Sequence, residues 1–449
     1  TGASGTVAIG TSTLTALTNG RWNTAIGYTA LTANTTGEAN TALGYEALKT
    51  NVDGDSNTAI GYASLYSFEA GSDGQGNNVA IGSNASFHLD SGQYNTMVGT
   101  EAGFGASGTT YAETTAIGYR AGYSLTTGAS NTFVGRQSGL TLTTGHNNVG
   151  VGNNALAVST DVGYAVAIGN NAMSGANVTA AADGSVAIGN SALTALTSGA
   201  GNTAIGYQAL DAEDAGGRST AVGYQALSAQ NNDTGSNTAV GWSAGDLIVG
   251  GYANTLLGSE SGTTGTNDLT SGYQNTLIGQ ATAVSAAGAI NQTVIGRGAT
   301  GTGNNEIALG NTSVSAIKAQ VTSITAYSSD ERTKKDVKDY NINGLNFIKE
   351  LQLKTYIYKN PADYPDEIKH PMYNNPDLKP DDPTETQVGF IAQEVEEALK
   401  KHNISNVETY APTQESGIKT LTYGNLIFPL IKAVQELSAK VTELESKLK

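Results

Sequence analysis

Residues 23–28 read NTAIGY, and the glycine of that stretch recurs at Gly10, Gly27, Gly44, Gly61, Gly82, Gly99, Gly118, Gly135, Gly152, Gly169, Gly189, Gly206, Gly223, Gly241, Gly258, Gly279, Gly296 and Gly310. Eleven of the seventeen intervals are 17 residues long and the rest run from 14 to 21, so the motif is constant while its connection varies. A repeat of this size is the mark of a stacked array, in which one unit cannot bury its own apolar face. Within the motif the pattern has period two: Val186 and Ile188 share one face, Ala187 and Gly189 the other. That periodicity predicts a strand, with a face of Ala and Gly that allows close approach of layers or neighbouring chains. Many repeats continue with an Ala-Leu pair, such as Ala30 and Leu31 or Ala209 and Leu210, and then a Thr-Gly-Asn turn. One repeat is therefore expected to contain two short strands and two turns.

Eleven repeats place asparagine four residues before the glycine, from Asn23, Asn40 and Asn57 through to Asn254 and Asn275. Asparagine tolerates turn conformations, and stacked coils would also bring these side chains into a hydrogen-bonded ladder. The motif, as in GSVAIGNSAL at Gly184 to Leu193, resembles the head repeats of trimeric autotransporter adhesins. That resemblance covers most of residues 1–310 and implies a left-handed parallel β-roll that trimerises, although the usual period here is longer than that family's coil. Eighteen coils at roughly 4.8 Å would make a rod on the order of 85 Å.

Composition changes sharply near Ser328. Before that point 7 basic residues stand against 19 acidic ones, with 53 of the 57 glycines and no proline; after it come 16 basic residues, 20 acidic residues and all 8 prolines. The net charge of −16 thus divides into −12 and −4, and neither part has a basic block, which argues against a nucleic-acid partner. There is no cysteine, and His88, His146, His370 and His402 lack metal-ligand spacing, so no disulfide, metal or cofactor is expected. No apolar run approaches the roughly 20 residues of a membrane span, and no signal peptide is visible. The first residue is Thr1, so further sequence upstream is an open expectation.

Three motifs follow the break: SSDERTKKDV from Ser328, GFIAQEVEEAL at Gly389 to Leu399, and TLTYGNLIFPLIKAVQEL at Thr420 to Leu437. In this order they closely resemble the intramolecular chaperone domain of phage tailspikes and tail fibres, including the endosialidase type. The resemblance implies a domain that drives homotrimerisation of the preceding segment and then cuts itself off. Carried over, the nucleophile is Ser329, the general base Lys334 and the scissile bond Ser328-Ser329. A serine hydroxyl needs such a base, and a lysine serves only when burial or neighbouring cations such as Arg332 and Lys335 lower its pKa. Thr333 replaces the family's usual apolar residue, and Ser328 adds a second hydroxyl, which leaves the cut ambiguous by one residue. A competing reading makes Ser328 and Glu331 a helix capping box without catalysis.

GFIAQEVEEAL predicts a short amphipathic helix with Ile391, Val395 and Leu399 on its apolar face. Prolines and acids between Lys359 and Thr386 predict an irregular exposed insertion. The last stretch carries a heptad of Ile427, Leu430, Val434, Leu437, Val441, Leu444 and Leu448, which requires a parallel partner helix, with Lys440 and Glu445 placed to pair between chains.

The expected architecture is mainly β: a trimeric parallel β-roll or β-solenoid at 1–310, a connector at 311–328, and an α+β chaperone at 329–449 ending in a coiled coil at about 425–449. The expected function is a phage tail fibre or tailspike shaft, in the virion tail or extracellular, that attaches to a host-surface receptor, polysaccharides included. A bacterial adhesin or surface filament with the same parts is the alternative. Receptor contact is expected in the long connections, with Tyr66 and Phe68, between Gly61 and Gly82, as the candidate residues. A depolymerase would need converging carboxylates, and the repeats offer only isolated acids such as Glu46, Glu101 and Glu260.

Overall fold

A computed structural model describes residues 4–70, 76–314, 342–365, 382–404, 409–410, 420–421 and 426–448. The chain divides into two compact units, Thr1–Asn311 and Thr312–Lys449.

The first unit is a parallel β-solenoid. Eighteen strands of three residues each, from Val7–Ile9 to Ile307–Leu309, pair in sequence order without offset, so that Ala25 lies opposite Ala42 and Ala42 opposite Ala59. The expectation of a second strand per repeat is not met. Thr29 and Leu31 stand at φ of 52° and 50°, a left-handed conformation that no extended ladder admits. The turn still bonds to the next coil: Leu31 N donates to Ala47 O at 3.1 Å and Ala33 N to Lys49 O at 3.2 Å. Each non-glycine residue held in this region costs on the order of 1 kcal/mol. A lone coil therefore stores strain that only stacking offsets.

The motif glycine is required on two counts. Gly206 sits at φ +142°, and a Cβ there would come within 3.0 Å of the carbonyl oxygen of Gly223 in the next coil. The close approach expected of the Ala and Gly face thus splits in two: glycine serves contact along the stack, whereas alanine points inward.

The core is one continuous column in which the central strand residue faces the residue four places after the glycine. Most coils fill this space with a small and a large side chain, as with Ala25 and Leu31 or Ala204 and Leu210, all fully buried. Four coils reverse the order, with Met97 and Gly103, Phe133 and Gly139, Leu256 and Gly262, and Leu277 and Ala283. A Cβ on Gly139 would lie 2.7 Å from the Phe133 ring, and one on Gly150 3.0 Å from the same ring. In these coils a large side chain at one place is met by a small one at the other, as dense packing demands.

Beside this column runs the asparagine ladder. Asn57 Nδ2 donates to Asn40 Oδ1 at 3.1 Å, its backbone N–H reaches the same oxygen at 2.9 Å, and Asn40 Nδ2 donates to Gly54 O at 2.7 Å. These amides are buried, so the ladder satisfies groups that would otherwise be orphaned.

Among its described residues the second unit has three α-helices, α1 (Gly344–Glu350), α2 (Ala392–Lys401) and α3 (Ile427–Leu448). It also has two small antiparallel pairs, Lys354–Tyr356 with Gln387–Gly389 and Thr409–Tyr410 with Thr420–Leu421. Its described core comprises Phe347, Val395, Ala398, Leu399, Ile404 and Leu426. Val395 and Leu399 are buried from α2 as the amphipathic pattern predicts.

Candidate functional site

Two surfaces carry unpaired apolar side chains, one on each unit. On the solenoid, the residue before every motif glycine is a branched aliphatic, from Ile9, Ile26 and Leu43 to Ile295 and Leu309, and none of the eighteen is buried. Ile9 is 58% exposed and Leu257 47%. The strand alternation explains this, since an inward alanine turns its two neighbours outward. Next to the column, on the far side of the glycine, stand two exposed aromatic runs, Tyr28, Tyr45 and Tyr62 and then Tyr207, Tyr224 and Trp242, each ring stacked on the next. An apolar column repeated on coil after coil beside stacked exposed rings is the kind of patch that marks an interaction surface.

On the second unit, α3 buries only Pro429 and Ala433. All seven heptad residues are 47% to 87% exposed. The sequence pattern located this stripe, and the structure gives it no cover within the described residues of the chain.

Tyr66 and Phe68 separate. Phe68 is fully buried in the solenoid core, a correction to its expected role in receptor contact, because a ring without exposed surface offers nothing to a ligand. Tyr66 belongs to a second aromatic ladder, Tyr66, Phe87, Phe104 and Tyr123, five residues after successive motif glycines, with ring centroids 4.8 to 5.5 Å apart. One neighbour of Tyr66 is Phe87; Lys49 Nζ lies over its ring, 5.0 Å from the centroid, and bonds its hydroxyl at 3.3 Å. Packing within the ladder occupies this ring, and its hydroxyl already has a partner. His88 sits edge-on between Phe87 and Phe104, a packing histidine.

Glu46, Glu101 and Glu260 share one place in the coil, two residues after the glycine, but on the third, sixth and fifteenth coils. Glu46 holds Lys49 at 2.7 Å and Glu101 holds Arg120 at 2.5 Å. The ion pair with Glu46 raises the Lys49 pKa, and that with Glu101 raises the Arg120 pKa. Three coils separate the first two acids by roughly 14 Å. They do not converge on a common substrate.

Ser328, Ser329, Glu331 and Lys334 lie outside the described residues, as does most of the proline-rich insertion. In the second unit Glu350 accepts from Lys401 Nζ at 2.8 Å and lies 3.2 Å from His402 Nε2; these two partners, Lys401 foremost, hold its carboxyl below the usual range.

Residues 329–404 match the model of a peptidase family described as chaperone of endosialidase. The match begins at Ser329, the first residue after the expected cut. No curated protein and no solved structure matches the chain. The chain thus joins a parallel β-solenoid of about 17-residue repeats to a C-terminal region of the endosialidase-chaperone type. No helix among the described residues is long and apolar enough to cross a membrane.

Proposed function

We propose that the chain is a tail fibre or tailspike-like shaft for host attachment that assembles as a homotrimer, with its C-terminal unit aligning three copies before leaving by a single self-cleavage. The observation that carries this reading is the family match starting at Ser329, joined to a solenoid and a helix that both leave apolar columns uncovered. Three copies of α3 would bury the heptad stripe, and three solenoids would bury the aliphatic column. In the processing step the Ser329 hydroxyl attacks the carbonyl carbon of Ser328. Neutral Lys334 takes the hydroxyl proton and returns it to the departing Ser329 nitrogen. Water then opens the ester, leaving Ser328 as a new C-terminus.

Expression of the full chain is expected to yield a fragment that begins at Ser329 by mass spectrometry, while Ser329→Ala and Lys334→Ala each leave the chain whole. Cleavage persisting in both variants removes the dyad. Assembly is tested separately, by comparing residues 1–328 expressed alone with the same residues released from the full chain. The released form should run as a heat-resistant trimer on unheated gels, and the truncated form should aggregate or remain monomeric. Equal trimerisation of both would overturn the chaperone role even if cleavage is real.

A further inference from the structure

Two places on the solenoid show what its rings and acids hold between them. On the third coil Glu46 pairs with Lys49, whose ammonium lies 5.0 Å from the centroid of the Tyr66 ring. On the seventh, Arg120 pairs with Glu101 of the coil before, and its guanidinium lies 5.1 Å from the rings of both Tyr119 and Tyr123. All of these residues stand one, two or five places after a motif glycine, so the three rows form one strip along the turns. A cation in that strip gains a carboxylate and a ring face together.

The fourteenth and fifteenth coils repeat the ring and the acid without the cation. Trp242, one place after its glycine, is 51% exposed and ends the row of Tyr207 and Tyr224. Ser259 holds that place on the next coil, so one indole face carries no ring. Glu260 stands beside it, its backbone N–H donating to Trp242 O at 2.8 Å. Asp246, in the place that Lys49 and Tyr123 hold in their coils, adds a second carboxylate, whose Oδ1 is buried without a hydrogen-bond partner. Residues 219–296 contain no Lys, Arg or His, and neither Glu260 nor Asp246 has an ion-pair partner among the described residues.

We infer that Trp242, Glu260 and Asp246 bind an organic ammonium group, the amine of an amino sugar in a host-surface polysaccharide. The ligand then fills from outside the place that the chain's own lysine and arginine fill on the third and seventh coils. An ammonium on a carbon skeleton can meet ring and carboxylate together, whereas a hydrated metal ion keeps its water and favours oxygen ligands alone. The apolar face of a pyranose ring suits the open indole face. The sugar assignment rests on the host-attachment reading; the cation site rests on the strip itself.

The probe is a glucosamine oligosaccharide, compared with its N-acetylated counterpart, which has the same rings without the charge. Both are titrated into the full chain as expressed, carrying Trp22→Phe so that Trp242 is the sole indole. The glucosamine oligomer should change the Trp242 emission to saturation, with an affinity that falls as salt is added, and the N-acetylated oligomer should not. By calorimetry, Glu260→Gln should weaken binding about tenfold and Trp242→Ala roughly fivefold, with Trp242→Phe keeping most of the affinity. Tyr62→Ala is the control: that ring also ends a row beside a serine, Ser83, but Asn84 stands where Glu260 does, so binding should match the parent.

Equal affinity for the two oligomers, or parental affinity in both Glu260→Gln and Trp242→Ala, overturns the inference. Loss of trimer in Glu260→Gln by light scattering also overturns it, by making the missing cation a basic residue of a second copy. Cell binding is measured apart. Parental cell binding by Glu260→Gln removes the assignment to the host surface. A parent chain that binds no cells defeats the attachment reading, and the titration still decides the amine site.

Discussion

The two units leave apolar surface uncovered in opposite ways. The solenoid spreads it as one branched aliphatic per coil over eighteen nearly interchangeable coils, so a copy displaced by one coil meets almost the same face. The helix α3 concentrates it in seven residues over 22, where a shift by one heptad leaves part of the stripe unpaired. A long repetitive surface supplies adhesion but not register; a short stripe, which loses a large share of its contacts on any shift, supplies register. The interiors differ in the same sense. The solenoid core runs unbroken through the stack, whereas the second unit's described core is six residues, a small store of stability without partners.

The comparison breaks first if a single coil turns out to be dispensable. Gly206→Ala puts a Cβ against the Gly223 carbonyl at a φ of +142°, with stacked coils above and below that cannot yield without moving their own neighbours. The expected result is near-complete loss of the heat-resistant trimer on unheated gels, while cleavage at Ser329 continues because the second unit is untouched. A normal yield of resistant trimer would show that coils accommodate strain singly and that the stack is not cooperative.

A smaller effect sharpens the account of the core. Phe133→Ala should destabilise by about 3–5 kcal/mol by emptying the coil. Gly139→Leu alone should destabilise through overpacking by about 1–3 kcal/mol. Backbone conformation does not oppose the leucine, since Gly139 stands at φ 62° and Leu31 and Leu48, in the same place in their coils, at 50° and 52°. The double variant creates the Ala and Leu pairing seen at Ala25 and Leu31 or Ala204 and Leu210 and should unfold more slowly than Phe133→Ala. Recovery should be partial, because Gly122 and Gly150 also make room for the phenylalanine ring. Strictly additive losses in unfolding rate would mean that the two positions do not share one space.

These variants also mark what could be read in advance. The period, the strand motif and the asparagine ladder were legible because each is repeated, so the pattern separates from its exceptions. The exchange of Phe133 against Gly139 was not, since it requires knowing which two places of a coil face each other. The Ala-Leu half resembled a strand in hydropathy, yet the positive φ of Leu31 is a tertiary choice imposed by stacking. Phe68 was misplaced on the surface for the same reason: a long connection suggests exposure, and this one folds a ring back into the core. In the second unit, the expectation for Ser329 and Lys334 rests on family resemblance alone, and both lie outside the described residues. The contact in which Gly344 N and Leu345 N donate to the Glu436 carboxylate gave no signal, because it joins residues 92 and 91 positions apart.

The finest contrast is the sign of the response to acid. Glu213 is buried in the solenoid, accepting from Gly216 N at 2.6 Å and from Gln230 Nε2 at 2.7 Å. Burial pushes its pKa up, and those hydrogen bonds offset only part of the rise. A carboxyl raised on folding favours the folded state below its unfolded pKa and loses that contribution as pH rises through the folded value. Glu350 in the second unit is depressed by Lys401 and His402, so its contribution is present above the unfolded pKa and fades as pH falls through the folded one. Thermal unfolding of the parent should therefore shift against Glu213→Gln and against Glu350→Gln in opposite directions between pH 7 and pH 4. The parent gains on the first variant and loses on the second. Referring each shift to its own variant removes any constant cost of the substitution, including the donor that Glu213→Gln turns toward Gln230. The two transitions are to be followed separately, the first on the released shaft and the second on the unprocessed Ser329→Ala chain. Shifts of the same sign would mean that the desolvation of Glu213 is already compensated by its three donors, Ala215 N being the third at 3.2 Å, and that the two units do not differ in this respect.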